Sequence, residues 1–236
     1  GVLAVQVILP RAHPLLEALG GTPNDLLLLA ILAAIALTYR AILERVRKRA
    51  KRTESEREPV KTGSFSEAEL HRYARHIVLR EVGGAGQKAL KEASVLVIGA
   101  GGLGSPALQY LAAAGEGTIG IVDDDVVDSA NLQRQVIHKD ADLGVPKEFS
   151  AQAEMVAQNP FVSVKPYNRR LDEATAQELF AEYDVVLDGT DNFETRYLVN
   201  AAAVATKTPL VSGALTQWEG QISVFDPAQD APCYAC

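Results

Sequence analysis

The sequence predicts an α/β fold: a doubly wound, mostly parallel sheet, preceded by a hydrophobic N-terminal helix. Three observations predict it. From residue 95 onward, short apolar runs alternate with helical patterns, the order expected of a parallel sheet with helices on both faces. One of those runs turns through closely spaced glycines straight into a helix. Near the N-terminus, Leu26 to Leu37 is an unbroken apolar run of 12 residues.

Residues 1–52 form a hydrophobic and then basic segment, interrupted early by Pro10, Pro14 and Pro23. With the residues up to Leu43 the helical pattern covers about 18 positions, near the ~20 that cross a bilayer. Arg40, Arg45, Arg47, Lys48, Arg49, Lys51 and Arg52 follow, opposed in that interval only by Glu44. Basic residues on that flank place it in the cytoplasm. The expectation is a membrane anchor that holds a cytoplasmic domain at the inner membrane. A soluble amphipathic or coiled-coil helix is the alternative, because 12 strictly apolar residues are short for a span. Residues 53–64 are polar without apolar period and read as a linker. Residues 65–236 read as the main domain. The chain opens on Gly1 and stops at Cys236, directly after a C-x-x-C, so a fragment truncated at its C-terminus is expected.

Ser66-Glu67-Ala68-Glu69 is a capping-box signature. Its helix runs through Leu70, Tyr73, Ile77 and Leu79, carries Arg72, Arg75 and Arg80 as a solvated face, and is broken by Gly83, Gly84 and Gly86. Val95 to Ile98 then forms a buried strand. It enters Gly99-Ala100-Gly101-Gly102-Leu103-Gly104, at G-x-G-x-x-G spacing. A helix follows, with Pro106 in its first turn and Gly115 past its end. A second strand, Ile119 to Val122, ends on Asp123, 19 residues after Gly104.

This is the Rossmann-like opening that cradles a nucleotide phosphate. Gly99 allows the tight turn, Gly101 permits close approach of a phosphate, and Gly104 lets helix and strand pack. The helix start offers free N–H groups to an anion, and a strand-end carboxylate can hold ribose hydroxyls. A tight turn that binds nothing is the bland alternative.

Asp124 and Asp125 read as a solvated loop, and Asn131-Leu132-Gln133-Arg134-Gln135 follows. Lys147 starts a helical pattern ending at Asn159-Pro160. Val162–Tyr167 reads as a strand, Thr175–Glu182 as a helix and Val185–Leu187 as a strand that ends in Asp188-Gly189-Thr190-Asp191-Asn192. Helix Glu194–Lys207, strand Leu210–Ser212 and strand Gly220–Phe225 complete the pattern. Ligands of such sheets bind beyond the carboxyl ends of the strands. Gly99–Gly104, Asp123 and Asp188–Asn192 all lie at such ends.

Net charge is −7 and unevenly spread: residues 1–60 carry nine Lys/Arg against six Asp/Glu, the remainder 14 against 24. An acidic main domain argues against nucleic acid as its partner. Two cysteines, both in the last four residues, form no disulfide framework and suit a reducing compartment. No H-E-x-x-H, G-x-S-x-G or Cys–His pairing is present, and the four histidines are scattered. A phosphate cradle with fixed cations and carboxylates suits phosphoryl or nucleotidyl transfer. Hydride transfer would use the same glycines, but has no obvious use for Arg134, Lys147 and Asp191 together. Asp191 is a candidate Mg²⁺ ligand; a loop Asp capping the next helix is the alternative.

These motifs carry a resemblance. RYARHIVL (72–79), GAGGLG (99–104), VDDDVV (122–127), NLQRQ (131–135), LGVPK (143–147), LDGTDN (187–192), PLVSGA (209–214), EGQISVF (219–225) and the terminal CYAC stand in order. The chain from Ser66 to Cys236 resembles the adenylyltransferases that activate ubiquitin-like sulfur carriers. It is most similar to the molybdopterin-synthase type; the thiamine-pathway type shares nearly all the motifs, and ubiquitin-activating enzymes are more distant. The resemblance implies attack of a carrier protein's C-terminal Gly-Gly carboxylate on the α-phosphate of Mg·ATP, with pyrophosphate leaving, in molybdenum cofactor biosynthesis. It implies that Asp123 holds the ribose, that Gly99, Gly101, Gly102 and Gly104 line the phosphates, and that Asn131, Arg134 and Lys147 contact them. Asp191, with Asn192 beside it, would bind Mg²⁺. Arg75 would reach the phosphates of a neighbouring subunit, implying a homodimer. Cys233 and Cys236 match half of a four-ligand structural Zn²⁺ site. Glu116 departs from the pattern, standing where the family has a small apolar residue, and residues before 60 have no counterpart in it. A nicotinamide-dependent oxidoreductase and a catalytically idle, membrane-tethered binding module remain as alternatives from other classes.

Overall fold

The computed structural model describes residues 31–41, 43, 45, 65–229 and 231–236. The chain divides into two units, Gly1–Thr62 and Gly63–Cys236. In the first, residues 31–41 are helical and Ile31, Leu32, Ile35, Leu37 and Tyr39 are exposed. Among the described residues no helix is long and apolar enough to cross a membrane. The 11 contiguous helical residues described here cover about 17 Å at ~1.5 Å each, against a bilayer core of ~30 Å. The expected span Leu26–Leu43 lies partly outside the described residues, and the linker 53–64 wholly so.

The second unit begins with helices α1 (Glu67–Ile77) and α2 (Gly83–Glu92). The capping box forms: Ser66 Oγ accepts from the Glu69 backbone N–H, and the Glu69 carboxylate accepts from Ser66 N–H at 2.8 Å. Gly83, Gly84 and Gly86, expected to end helical structure, instead open α2. What holds α2 is tertiary: buried Gln87 donates to Ala114 O at 2.7 Å and lies 3.0 Å from His76 Nδ1. Arg72 is not merely solvated, since it donates to Gln158 O at 3.1 Å and stacks on Phe161.

Then follow β1 (Ser94–Ile98), α3 (Gly104–Ala114), β2 (Thr118–Asp123), α4 (Lys147–Gln158), β3 (Ser163–Asn168), α5 (Glu173–Phe180), β4 (Val185–Asp188), α6 (Phe193–Thr206), β5 (Leu210–Leu215) and β6 (Gly220–Phe225). They build a six-stranded sheet in the order β3-β2-β1-β4-β5-β6. All neighbours are parallel except β5 and β6. The fold is thus α/β with a mostly parallel sheet, as the alternating pattern predicts.

Strand alternation sends successive β1 side chains to opposite faces. Leu96 and Ile98 join Phe180, Val186, Val199 and Leu210 in one core. Val95 and Val97 join Leu108, Ile119, Ile121, Ile137 and Met155 in the other. Each core seals one layer of helices onto the sheet. The chain leaves β1 towards β2 and β3, then returns to β4 on β1's other side. That reversal opens a crevice between the carboxyl ends of β1 and β4.

Glu116 departs from this apolar packing. It is 2% exposed in the turn between α3 and β2, and its Oε1 has no hydrogen-bond partner. Burial, reinforced by the Asp184 charge, pushes its carboxyl up to about 7.

Candidate nucleotide site

Backbone hydrogen bonds bring three strand-end loops together. Gly99 N–H donates to Val122 O at 2.8 Å, and Gly189 N–H donates to Ile98 O at 3.0 Å. The loop after β1 therefore lies between those after β2 and β4. Two of its glycines are demanded by the backbone. Gly99 has φ +90°, and a Cβ on Gly104 would stand 1.8 Å from Gly99 O. The other two are not. A Cβ on Gly101 would first meet Gln135 Nε2 at 3.7 Å, and one on Gly102 would meet Arg134 Cδ at 3.4 Å. Both are ordinary contacts, so packing tolerates alanine there. A ligand that approaches the main chain closely does not. Leu103, the N-cap of α3, makes no side-chain capping bond. Ser105 N–H donates to Gly101 O at 2.8 Å and Pro106 has no N–H, so of the first three helical positions it is Gly104 whose N–H is left to an anion.

Asp123 is fixed by the backbone. Its Oδ2 accepts from Ala100 N–H at 2.7 Å and its Oδ1 from Asp125 N–H at 2.9 Å. Each oxygen keeps a second lone pair for a hydroxyl donor. Burial pushes its pKa up, against the two backbone bonds and the Lys147 charge.

The segment after β2 folds back on itself. Val127 N–H donates to Val145 O, Gly144 N–H to Val127 O and Lys147 N–H to Asp125 O. This ties the start of α4 to the end of β2. The Lys147 side chain is 5% exposed and donates to Asp125 Oδ2 at 2.7 Å, while the Asp125 side chain is 70% exposed. Asp125, read from sequence as loop, is therefore the counter-charge of this cation. Candidate ligand oxygens of Asp123, Asp124 and Asp125 lie within 4.8 Å of one another. Arg134 donates to Asn131 Oδ1 at 2.9 Å and spreads its stem over Gly102. Asn131, Arg134, Gly101 and Gly102 are thereby gathered in one place.

Beyond β4, Asn192 caps α6 by accepting from Thr195 N–H at 2.9 Å, and Asp191 is exposed. The capping role open for Asp191 belongs to its neighbour, whose side-chain oxygen is thus committed to the helix. Sequence reasoning missed what holds this loop. Buried Arg196 donates to Thr190 O, to Gly213 O at 2.7 Å and to Ser212 Oγ at 3.3 Å, and stands 3.9 Å from Asp188 Oδ2. Asp188 in turn accepts from Thr190 N–H and Oγ–H. The signal in the sequence is an arginine in the first turn of a helix whose later part is largely apolar. His138 was missed too: its ring nitrogens lie 3.0 Å from Ala100 O and 3.0 Å from Ser150 Oγ, and burial lowers its pKa.

Arg75 is exposed in the last turn of α1. Among the described residues no hydrogen bond or ion pair joins it to the groups above. Cys233 and Cys236 place their sulfurs 3.2 Å apart, and Asn200 Nδ2 is 3.6 Å from Cys233 Sγ. Those contacts push the Cys233 thiol down to about 7, toward the thiolate that binds metal. No third His, Cys, Asp or Glu completes a metal cluster with them among the described residues.

Residues 73–236 match the ThiF family. The probable adenylyltransferase/sulfurtransferase MoeZ of Mycobacterium tuberculosis is 57% identical over 169 residues, 72% of this chain and 43% of the relative. The molybdopterin-synthase adenylyltransferase of Escherichia coli is 48% identical over 172 residues, 73% of this chain and 69% of the relative. Among solved structures, Escherichia coli MccB with ATP superposes at a TM-score of 0.64 and 26% identity, covering 70% of this chain and 51% of that one. The chain spans less than half the length of MoeZ. The match over residues 73–236 and the identity to the Escherichia coli relative show that this chain belongs to the ThiF family.

Proposed function

We propose that the protein adenylylates the C-terminal Gly-Gly carboxylate of a small ubiquitin-like sulfur-carrier protein, releasing pyrophosphate, in molybdenum cofactor biosynthesis. The observation that carries the proposal is the meeting of four elements at one crevice. They are a glycine turn open at Gly101 and Gly102, the anchored Asp123 carboxylate, the cations Arg134 and Lys147, and the Asp191 loop. Relatives named molybdopterin-synthase adenylyltransferase and sulfur carrier protein adenylyltransferase supply the reaction class. In this reading Asp123 binds the ribose and Gly99–Gly104 line the phosphates, with Asn131, Arg134 and Lys147 beside them. The cations stabilise charge that spreads over the α-phosphate and the leaving pyrophosphate. Asp191 offers carboxylate oxygens to Mg²⁺, the hard cation of such sites; Asn192 shapes its loop. Mg²⁺ would neutralise phosphate charge. Cys233 and Cys236 would give two of the four ligands of a structural Zn²⁺ site.

The carrier's Gly-Gly carboxylate is the nucleophile. Arg75 serves the partner subunit of a homodimer, and residues 1–52 associate with a membrane, leaving the catalytic unit in the cytoplasm. Carrier-dependent ATP–pyrophosphate exchange tests the reaction. It should be present in the wild type and lost in Asp191→Ala; full exchange in that variant would reject the site assignment. Sedimentation of the full-length protein in membrane-free and membrane-bearing fractions tests the anchor, which recovery wholly in the soluble fraction would reject.

A further inference from the structure

We propose that the Gln135 side chain contacts the bound nucleotide directly, its carboxamide N–H donating to a phosphate oxygen lodged at Gly101. The inference rests on the nucleotide reading of the crevice and adds a residue to it.

Gln135 is 4% exposed, yet its Oε1 has no hydrogen-bond partner. The protein leaves this carboxamide unsatisfied; Oε1 is an acceptor, so the end that a phosphate oxygen would meet is the Nε2 donor. Its backbone is held firmly. Gln135 N–H donates to Asn131 O at 3.0 Å, and Gln135 O accepts from His138 N–H at 3.1 Å. The side chain is aimed: Nε2 is the atom nearest to the space a Cβ on Gly101 would take, at 3.7 Å. Arg134, the preceding residue, lays its Cδ 3.4 Å and its Nε 3.6 Å from the corresponding space at Gly102. Consecutive residues of one turn thus address consecutive glycines of the loop, one with a charge and one with a neutral amide.

The chemistry of that pair fits an oxyanion. An amide can present either end by a half-turn of its last torsion, and a phosphate oxygen selects the NH₂. A neutral donor orients the phosphate without adding to the charge of Arg134 and Lys147. A purely structural role would be served by a residue of the same length with no polar end to leave unsatisfied, such as methionine.

The test is Gln135→Met and Gln135→Glu in the full chain, read by two measurements: ATP affinity by calorimetry and unfolding midpoint without nucleotide. Losing a hydrogen bond to a charged group weakens ATP binding about 10- to 100-fold in Gln135→Met. The unfolding midpoint stays level or rises, because the orphan acceptor has gone. Gln135→Glu, which sets a carboxylate against the phosphates, weakens binding at least as much. ATP affinity in Gln135→Met equal to that of the wild type overturns the proposal and leaves the nucleotide site standing. A midpoint that falls together with affinity makes Gln135 structural and also overturns it. Wild-type protein that binds no ATP removes the nucleotide reading itself.

Discussion

Glu116→Gln isolates a single buried carboxyl and removes its pH dependence. In the folded chain Glu116 is 2% exposed with Oε1 unpartnered, and burial holds its pKa at about 7 instead of 4.5. The folded state therefore keeps a proton that the unfolded state has released. Below 4.5 both states are protonated and the group contributes no slope. Between 4.5 and about 7 stability falls as pH rises, because unfolding releases the proton. Above about 7 the loss is complete. At ~1.4 kcal/mol per pH unit, the displacement from 4.5 to about 7 bounds it at about 3 kcal/mol. Glutamine keeps the shape and cannot ionise. Urea unfolding of wild type and Glu116→Gln from pH 5 to 8.5 should give curves that diverge, with the variant gaining up to about 3 kcal/mol relative to wild type at the alkaline end. His138, whose pKa is lowered by burial, contributes the opposite slope in both proteins and cancels in the difference. Parallel curves across that range would show that Glu116 is ionised and solvated in the folded state, and the argument from burial would fail.

Three further predictions follow from the loops. Gly104→Ala, whose Cβ would meet Gly99 O at 1.8 Å, should destabilise by ~3 kcal/mol as a backbone clash; Gly102→Ala, at 3.4 Å from Arg134, should keep its melting temperature and lose ATP affinity. Arg196→Met strips Asp188 of a buried cation 3.9 Å away and should cost about 3 kcal/mol, read by denaturant unfolding, with exchange activity lower as the Thr190–Asp191 loop loosens. Lys147→Met should lower ATP–pyrophosphate exchange on the order of 100-fold, while Asp125, 70% exposed, stays solvated and keeps the fold intact by circular dichroism.

Local pattern made much of this legible. The strand–glycine–helix–strand–acid order between Val95 and Asp123 needs only short-range periodicity, and β1, α3 and β2 form as it predicts. Left-handed Gly115, at φ +83°, closes α3 where a glycine stop was expected. What local pattern could not carry was tertiary. α2 begins with Gly83, Gly84 and Gly86, which have poor helix propensity, and packing through Gln87 decides the matter. Asp125 looks like solvated loop until the return of residues 144–147 brings Lys147 to it. Gln135, His138 and Arg196 are polar residues whose side-chain partners lie 6 to 38 positions away or are absent, and no spacing rule points to them. The direction of β6 is set by its pairing with β5 rather than by its composition.

The proposed reaction transfers AMP from ATP to a carboxylate. Intact-mass spectrometry of a Gly-Gly-ending sulfur carrier incubated with the protein, ATP and Mg²⁺ tests it most directly. The expected product is a carrier heavier by one adenylyl group, dependent on ATP and on Asp191, and reverted by added pyrophosphate. A carrier of unchanged mass beside protein that binds ATP would contradict it.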